Sequence, residues 1–453
     1  MRNQARNHLP PSATWLQRLL YPFARNFFFF FFTYLPYAPI RRVNKPDLSG
    51  HLVWSSSHSN FLCDAIPAGF EAPIPTKFLG KSTLFHFPIK HFIEFCGALP
   101  LARSQDLTGL SREERSAQNH ATFKVAIAAI REGWPVAIYP EGVSLVSPGL
   151  TLPLKPGAAK LALSAEEANG FKLNLRIQPV GLEYGSRTKV GSGLWIRYGK
   201  PLWMKDYREL YEHEPEAAVR KVTEDLTREM IACYPHFSDN GKLALAKKLV
   251  MIGVVRCRWE AAQIFLQQAE RPDFWEKLEK LLRAFDEANK LHGIPMPVWG
   301  HRHTWKMLGP VRRTWRLVAL VLGFPFFLVD LPNNSLPEFF LTSAVDFAAT
   351  DETERMSIRF ILSPVILSLC YAGQFWFLQQ FFTPFRGAGF GIYLGYMLAS
   401  FSLWYASVHW RRQFKRLASL LFFFKAGMTG RSEAVAKYRE LRAYLQEQGA
   451  PKG

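Results

Sequence analysis

A histidine and an aspartate stand six positions apart in SSSHSNFLCDAIPA, residues 55–68. A neutral imidazole such as that of His58 can take a proton from an alcohol, and a carboxylate that accepts the other ring N–H fixes the tautomer and stabilises the imidazolium. Six positions do not place two side chains on one helix face, so His58 would have to lie just before a helix that carries Asp64. The pair predicts a general base and its orienting residue. The alternative is a loop histidine and an aspartate at a helix start.

The segments around this pair alternate between short apolar runs and helical stretches. Apolar residues recur at helical spacing over 112–133, and Gly133 is placed to end that helix. Strands separated by helices predict an α/β domain over residues 48–202, with a mostly parallel or mixed sheet flanked by helices. The candidate strands are 51–56, 135–140, 176–184 and 194–199.

The flanking regions have a different character. Residues 1–47 predict an N-terminal amphipathic, aromatic helical segment associated with a membrane. Residues 203–305 are charged and amphipathic without a strand pattern, which predicts a helical subdomain. Membrane segments are expected over 306–416, followed by an amphipathic, basic tail at 417–453.

Apolar stretches in the C-terminal third are candidates for membrane contact. Those at 360–382 and 389–410 are long enough to span a bilayer, whereas 317–331 is short and contains Pro325 and Asp330. Basic clusters precede the first stretch and follow the last, so an even number of crossings is expected if both clusters face the cytoplasm. We therefore expect a hairpin from the last two stretches, with the first one interfacial or re-entrant.

The composition narrows the partners of the protein. A net charge of +19 over 453 residues implies an anionic partner, either nucleic acid or a phospholipid surface. The 38 phenylalanines and 13 tryptophans favour the bilayer, because aromatic rings settle at headgroup level, and no nucleic-acid reader motif is present. The five cysteines form no C-x-x-C pair, and no histidine spacing suggests a metal site. We therefore expect a phospholipid bilayer as partner, with no metal and no nucleic acid.

Further blocks follow the histidine in a fixed order. The chain reads KFLGKSTLFHFPIKHFIEFCGALPLARSQD at 77–106, VAIYPEGVS at 136–144, LTLPLKPGAAKLAL at 150–163 and IQPVGLEY at 177–184. Together with the H-x5-D pair, these blocks resemble the glycerol-3-phosphate and lysophosphatidic acid acyltransferase superfamily over roughly residues 50–202. The resemblance is to the branch with the longer His–Asp spacing and P-E-G-x-S. No G-x-S-x-G elbow is present, so a serine hydrolase is not indicated.

The resemblance implies a role for each matching residue. His58 would be the general base on the acceptor hydroxyl and Asp64 its orienter, so that the alcohol attacks an acyl thioester directly. Arg103 would contact an acceptor phosphate, for which a guanidinium fork is suited. The remaining substrate-binding candidates belong to the P-E-G-x-S turn or are basic residues near it: Glu141, Gly142, Ser144, Lys81 and Lys155.

Other readings of these residues stay open. Arg103 could be a solvated arginine at a strand end, Glu141 could cap a helix, and both lysines could be solvated. Val143 and Ser144 stand where many members of the superfamily have Thr-Arg, which leaves the identity of the acceptor open.

The resemblance implies a membrane-bound enzyme that moves a fatty acyl group from acyl-CoA or acyl carrier protein to glycerol 3-phosphate or lysophosphatidic acid in phospholipid synthesis. Another lysolipid or alcohol acceptor is the alternative, as is a non-catalytic lipid-binding scaffold. No cofactor is implied beyond the acyl donor. The expected location is a bacterial inner membrane or the endoplasmic reticulum, with the active site on the cytosolic side.

Overall fold

The computed structural model describes residues 15, 23, 26–27, 29–46, 48–71, 76–82, 98–101, 111–307, 309–381, 389–425 and 427–450. The chain divides into two compact units. The first unit comprises Met1–His236 and Asp351–Ser357, and the second comprises Phe237–Thr350 and Ile358–Gly453.

The first unit contains a mixed sheet. Its strands, in chain order, are β1 (Ile40–Val43), β2 (Leu52–Ser56), β3 (Lys77–Lys81), β4 (Ala98–Leu101), β5 (Val136–Ile138), β6 (Arg176–Tyr184), β7 (Leu194–Tyr198) and β8 (Leu202–Trp203). The spatial order is β1-β7-β6-β2-β5-β3-β4, and β8 pairs with β6. β6 runs antiparallel to β7 and β8, and the other pairs are parallel. The predicted fold class is therefore confirmed.

Helices cover this sheet and form its core. They are α1 (Leu35–Tyr37), α2 (Leu62–Glu71), α3 (Arg112–Arg131), α4 (Gly157–Glu167), α5 (Arg208–His213) and α6 (Pro215–Cys233), with a π-helical turn at Phe30–Tyr34 and a 3-10 turn at Met204–Tyr207. Ile130 of α3, Leu161 of α4 and Val222 of α6 belong to one buried cluster with Val53 and Ile177 of the sheet. All residues of β2 are buried, as expected for a central strand covered on both faces.

Parallel pairing positions the functional loops. β2 pairs in parallel with β5, so both strands end at the same edge of the sheet. The loop with His58 follows β2, and the turn with Glu141 follows β5. Loops at the carboxyl ends of parallel strands form the crevice in which open α/β sheets bind ligands.

The first unit extends beyond the boundaries expected from the sequence. β1 pairs in parallel with β7, so the sheet begins before residue 48. α6 lies beyond residue 202 yet packs on the sheet, where a Cβ added at Gly181 would collide with the carbonyl group of Cys233. Sequence reasoning missed the contribution of α6 because its charged, amphipathic pattern does not indicate which surface its apolar face covers.

The second unit is helical in its described residues. The helices are α7 (Asn240–Met251), α8 (Arg258–Gln267), α9 (Pro272–Leu291), α10 (Pro297–Met307), α11 (Pro310–Ala348), α12 (Arg355–Phe381, counted in this unit from Ile358), α13 (Phe390–Lys425) and α14 (Gly427–Glu447). Phe274 and Phe285 of α9 share a buried cluster with Trp299 of α10 and Leu441 of α14.

Two of these helices are long and apolar enough to cross a membrane, judged by length and composition. They are α11, with a mean hydropathy of 1.7 in its most apolar window, and α12, with 1.6. This pair differs from the expected hairpin of 360–382 and 389–410. α13 is not among the candidate spans in the described part of the chain, because tyrosine, tryptophan, serine and glycine lower its mean hydropathy.

We expected the apolar stretch 317–331 to lie in the membrane interface or to be re-entrant. It is instead part of the continuous helix α11. Asp330, which seemed to count against a span, is buried and accepts a hydrogen bond from the Asn334 side chain at 2.8 Å. Tyr371 in turn donates to Asn334 at 2.6 Å, and Arg411 approaches Asp330 at 3.7 Å. Polar side chains paired in this way are tolerated between apolar helices.

Candidate active site

The His58 and Asp64 side chains meet at the start of a helix. His58 lies two residues beyond the end of β2, and Asp64 lies in the first turn of α2. The Nδ1 atom of His58 is 3.2 Å from Oδ2 of Asp64. The histidine thus precedes the helix that carries the carboxylate, which is the arrangement their spacing required.

The Asp64 carboxylate is held by hydrogen bonds from several sides. Its Oδ2 accepts the backbone N–H groups of Ser59 at 2.7 Å and Asn60 at 2.6 Å. Its Oδ1 accepts the hydroxyl group of Tyr184 at 2.8 Å. Because an ionised carboxylate only accepts hydrogen bonds, we assign the proton of the neutral imidazole to Nδ1, which leaves the lone pair on Nε2 of His58. The imidazole is therefore oriented as a base.

The ring of Tyr139 supports the imidazole from one face. Its centroid lies 4.3 Å from that of His58, and the two planes are inclined by 25°. The Tyr139 hydroxyl oxygen is buried and has no hydrogen-bond partner in the described part of the chain. Burial, with the negative charge of Asp64 adding to it, raises the pKa of Tyr139 well above its usual value. Tyr139 therefore stays neutral and acts by contact. Sequence reasoning missed it, although it is the aromatic residue directly before P-E-G.

The P-E-G-x-S turn holds the His58 loop in place. Glu141 accepts the backbone N–H of His58 on Oε1 at 2.8 Å and that of Thr151 on Oε2 at 2.8 Å. Ser144 Oγ accepts the backbone N–H of Phe61 at 3.2 Å. Burial raises the pKa of Glu141, and these backbone N–H groups oppose the shift. Glu141 and Ser144 thus contact the loop of the base, and their assignment to substrate binding stays a prediction.

Gly142 and Lys155 lie together at the back of this turn. Gly142 adopts a left-handed φ of 72°, where glycine is favoured, and a Cβ there would lie 3.3 Å from Cγ of Lys155. The Lys155 backbone N–H bonds to the carbonyl group of Pro140 at 2.7 Å. The Lys155 side chain is exposed and makes no ion pair with a described residue. Its ammonium group is therefore available to an anionic ligand.

A segment near the N-terminus completes the surroundings of the carboxylate. The Tyr37 hydroxyl accepts the Asn60 side-chain amide at 2.7 Å and donates to the carbonyl group of Arg187 at 3.1 Å. The Tyr37 ring packs edge-on against Tyr184 with centroids 4.7 Å apart. Burial raises the pKa of both tyrosines well above the usual value. Sequence reasoning missed these two residues, because no local pattern indicates contacts across so many residues.

Two predicted substrate-binding residues, Arg103 and Lys81, have no described side chain. Arg103 lies outside the described residues. Lys81 ends β3 and pairs with Leu101 of β4 through the backbone, and its side chain is not described. Within the described ranges, no cluster of three or more His, Cys, Asp or Glu side chains could hold a metal ion.

Comparisons with known proteins bear on this arrangement. The family model described as Acyltransferase matches residues 40–183. Over 122 residues the chain is 32% identical to glycerol-3-phosphate O-acyltransferase 2 of Saccharomyces cerevisiae, and this alignment covers 27% of the chain and 16% of the yeast protein. The aligned part thus spans well under two thirds of that relative. The crystal structure of the 1-acyl-sn-glycerophosphate (LPA) acyltransferase PlsC from Thermotoga maritima aligns with a TM-score of 0.31 and 17% identity, over 47% of this chain and 80% of that one.

Residues 40–183, which contain the His58–Asp64 pair and the P-E-G-x-S turn, are therefore similar to an acyltransferase domain. Both matches support the resemblance of the ordered motifs to the glycerol-3-phosphate and lysophosphatidic acid acyltransferase superfamily.

Proposed function

We propose that this protein transfers a fatty acyl group from a thioester donor, acyl-CoA or acyl carrier protein, to a hydroxyl group of glycerol 3-phosphate or lysophosphatidic acid. The observation that carries the proposal is the 3.2 Å contact between His58 and Asp64 inside a domain that matches the acyltransferase family. The 32% identity with a yeast glycerol-3-phosphate O-acyltransferase supports the choice of acceptor class.

The transfer needs one base and no covalent enzyme intermediate. Nε2 of His58 takes the proton of the acceptor hydroxyl as its oxygen attacks the thioester carbonyl carbon. A C–O bond forms, the C–S bond breaks, and the imidazolium returns its proton to the departing thiolate. Asp64 accepts the Nδ1–H group throughout and stabilises the imidazolium that forms in between.

The burial of His58 and Asp64 agrees with their roles as the base and its orienting residue. The His58 side chain is 16% exposed, whereas that of Asp64 is fully buried. A hydroxyl group arriving from outside can therefore reach the imidazole but not the carboxylate. Tyr139, Glu141 and Ser144 hold the ring or its loop, so the base is oriented before substrate arrives.

The proposal also places the reaction at a membrane. Support comes from the candidate spans α11 and α12 and from the net charge of +19, which attracts anionic lipid. We place the active site on the cytosolic side of a bacterial inner membrane or of the endoplasmic reticulum, where a thioester donor is made. The reaction then needs no cofactor or metal beyond the donor, because the thioester is already activated.

A panel of acceptors tests this function. The purified full chain in detergent micelles is given radiolabelled palmitoyl-CoA or palmitoyl-acyl carrier protein together with glycerol 3-phosphate, lysophosphatidic acid, lysophosphatidylcholine or 1-monoacylglycerol. We expect labelled phosphatidic acid or its lyso form from at least one of the first two acceptors. Product from the last two acceptors alone would contradict the phosphate-bearing acceptor.

One observation favours that second outcome. Val143 and Ser144 follow Gly142 where many members of the superfamily carry Thr-Arg, and Ser144 Oγ accepts the backbone N–H of Phe61. The turn therefore lacks one guanidinium group for a phosphate. Turnover with lysophosphatidylcholine or monoacylglycerol would indicate a different acceptor with the same base. Absence of thioester cleavage with every acceptor would indicate a non-catalytic lipid-binding protein.

A further inference from the structure

The second unit contains a cleft with two arginines. It is lined by side chains of α10, α11 and α13 and is open to solvent. Its polar lining consists of His301 and Trp305 of α10, Arg316 of α11, and Gln413 and Arg416 of α13. Leucine side chains complete the wall. We call it the arginine cleft.

Among the described residues, no acidic side chain balances the positive charge of the arginine cleft. None of its lining residues is acidic. No described carboxylate pairs with Arg316 or Arg416, neither of which has a hydrogen-bond partner among the described side chains. Partial desolvation and the charge of Arg316 lower the pKa of Arg416, although the Arg416 side chain is still exposed on part of its surface. Burial and the charge of Arg416 lower the pKa of His301. The like charges therefore face each other closely enough to repel.

The chemistry of the lining indicates what would relieve this repulsion. Two guanidinium groups present planar donor forks that match phosphate oxygens, and they stay charged in every ordinary condition. The indole of Trp305 and the amide of Gln413 add further donors. Arg316 also lies six residues from the start of α11, just before its most apolar stretch, which is the level of lipid phosphates if α11 crosses a bilayer.

We propose that the arginine cleft binds a phosphate group, supplied by the headgroup of an anionic lipid or by free phosphate. The site belongs to the second unit, whereas His58 belongs to the first. The proposal therefore does not rest on the acyl-transfer reaction, and a chain that proved catalytically inactive would leave it intact.

A matched pair of double variants tests the cleft. R316Q/R416Q removes both arginines from the lining. R312Q/K415Q removes two charges from the same helices at exposed positions outside it. Binding of inorganic phosphate, dioctanoyl phosphatidic acid and, as a phosphate-free control, dioctanoylglycerol is measured by calorimetry on the full chain in detergent micelles. Phosphatidic acid bound at a site elsewhere would be affected equally in both variants.

We expect R316Q/R416Q to lose about tenfold or more in affinity for a phosphate-bearing probe, because it removes both donors of charged hydrogen bonds from the cleft. The affinity of R312Q/K415Q should stay within about twofold, since neither Arg312 nor Lys415 lines the cleft. Loss confined to phosphatidic acid identifies a lipid headgroup as the ligand. Loss confined to inorganic phosphate identifies a site for free phosphate. Loss shared by both probes shows that the cleft recognises the phosphate group itself, and the probe that the wild type binds more tightly then identifies the source. Equal affinities in the two double variants would overturn the proposal.

A conservative variant covers the case in which R316Q/R416Q fails to fold. R316K/R416K keeps both charges but replaces each planar fork by a single ammonium group. We expect its phosphate affinity to fall by about threefold or more while its unfolding temperature stays that of the wild type. Wild-type affinity in this variant would also overturn the proposal.

Discussion

The aromatic ring of Tyr139 lies nearly parallel to the imidazole of His58, with centroids 4.3 Å apart. The imidazole is thus fixed by two independent contacts, because Asp64 bonds its Nδ1 edge while Tyr139 covers one face. Asp64 lies in the first turn of α2, the helix after β2, whereas Tyr139 directly follows β5. Because β2 and β5 are paired in parallel, the sheet fixes both the position of the imidazole and the orientation of its plane.

Two substitutions at Tyr139 distinguish the contribution of its ring from that of its hydroxyl group. Y139F keeps the stacked ring and removes a buried oxygen without a partner, so kcat should stay within about twofold, and the free energy of unfolding should stay the same or rise by about 1 kcal/mol. Y139L removes the ring, and kcat should fall by about tenfold or more with little change in the acceptor KM. Steady-state kinetics and thermal unfolding measure both. Wild-type kcat in Y139L would remove Tyr139 from the support of the base.

The hydrogen bonds to Asp64 predict a graded response. D64N removes the carboxylate that holds the imidazole tautomer, and kcat should fall by about 10³-fold or more. Y184F removes only the donor to Oδ1, and kcat should fall by about tenfold with the acceptor KM unchanged. Initial rates with saturating acyl donor give the comparison. Equal losses in the two variants would contradict a distinct role for Tyr184.

Glu141 predicts a pH dependence of stability. Burial raises its pKa above the ordinary value of 4.5, so the folded protein holds this proton more tightly than the unfolded chain does. The contribution of protonated Glu141 to the free energy of unfolding is therefore full below pH 4.5, the ordinary pKa, and it is lost as the pH rises through the folded-state pKa. E141Q should lack this slope and should be destabilised by about 1–3 kcal/mol, because an amide leaves one of the two backbone N–H groups without an acceptor.

The slope is measured by urea unfolding of the full chain at a series of pH values from below 4.5 upward. A spectroscopic probe in the first unit reports the unfolding. T151A is the matched control, since it keeps the backbone N–H that Glu141 accepts. An unchanged pH slope in E141Q would show that the carboxyl group does not titrate in this way.

Replacement of Arg103 is expected to change the KM of the acceptor but not that of the acyl donor. If its guanidinium group binds the acceptor phosphate, R103A should raise the acceptor KM by about tenfold or more and leave the acyl-donor KM within about twofold. R112A, at the start of α3, serves as a charge-matched control. An unchanged acceptor KM would exclude Arg103 from the phosphate site.

Local pattern predicted β2, β5, β6 and β7 but not β3, β4 or β8. The spacing of His58 and Asp64 required the histidine to precede the helix of the aspartate, as observed, but only the ordered motifs gave the pair a role. The apolar run 176–184 forms β6 with the predicted bounds, and the helix expected at 112–133 is observed at Arg112–Arg131. β1 was missed because its sequence, IRRV, is basic and its pairing with β7 joins segments far apart in the chain. Tyr37 was missed for the same reason.

The candidate spans show a second limit of local pattern. The shortness of 317–331, together with Pro325 and Asp330, counted against a span, yet both residues lie within the continuous helix α11. The hydrogen bond from Asn334 to Asp330 forms one turn along the same helix, and Tyr371 extends it from α12. A polar side chain is tolerated between apolar helices when it has such hydrogen-bond partners, and a hydropathy scale does not take these partners into account.

Acyl transfer by H58A, compared with H51A and the wild type, tests the central claim most directly. H51A replaces a histidine that lies outside the site, and it should retain wild-type turnover. H58A should keep the thermal unfolding temperature and the affinity for acyl donor but lose acyl transfer by about 10³-fold or more, because no other described group takes the place of the base. Undiminished acyl transfer by a folded H58A protein would contradict the account.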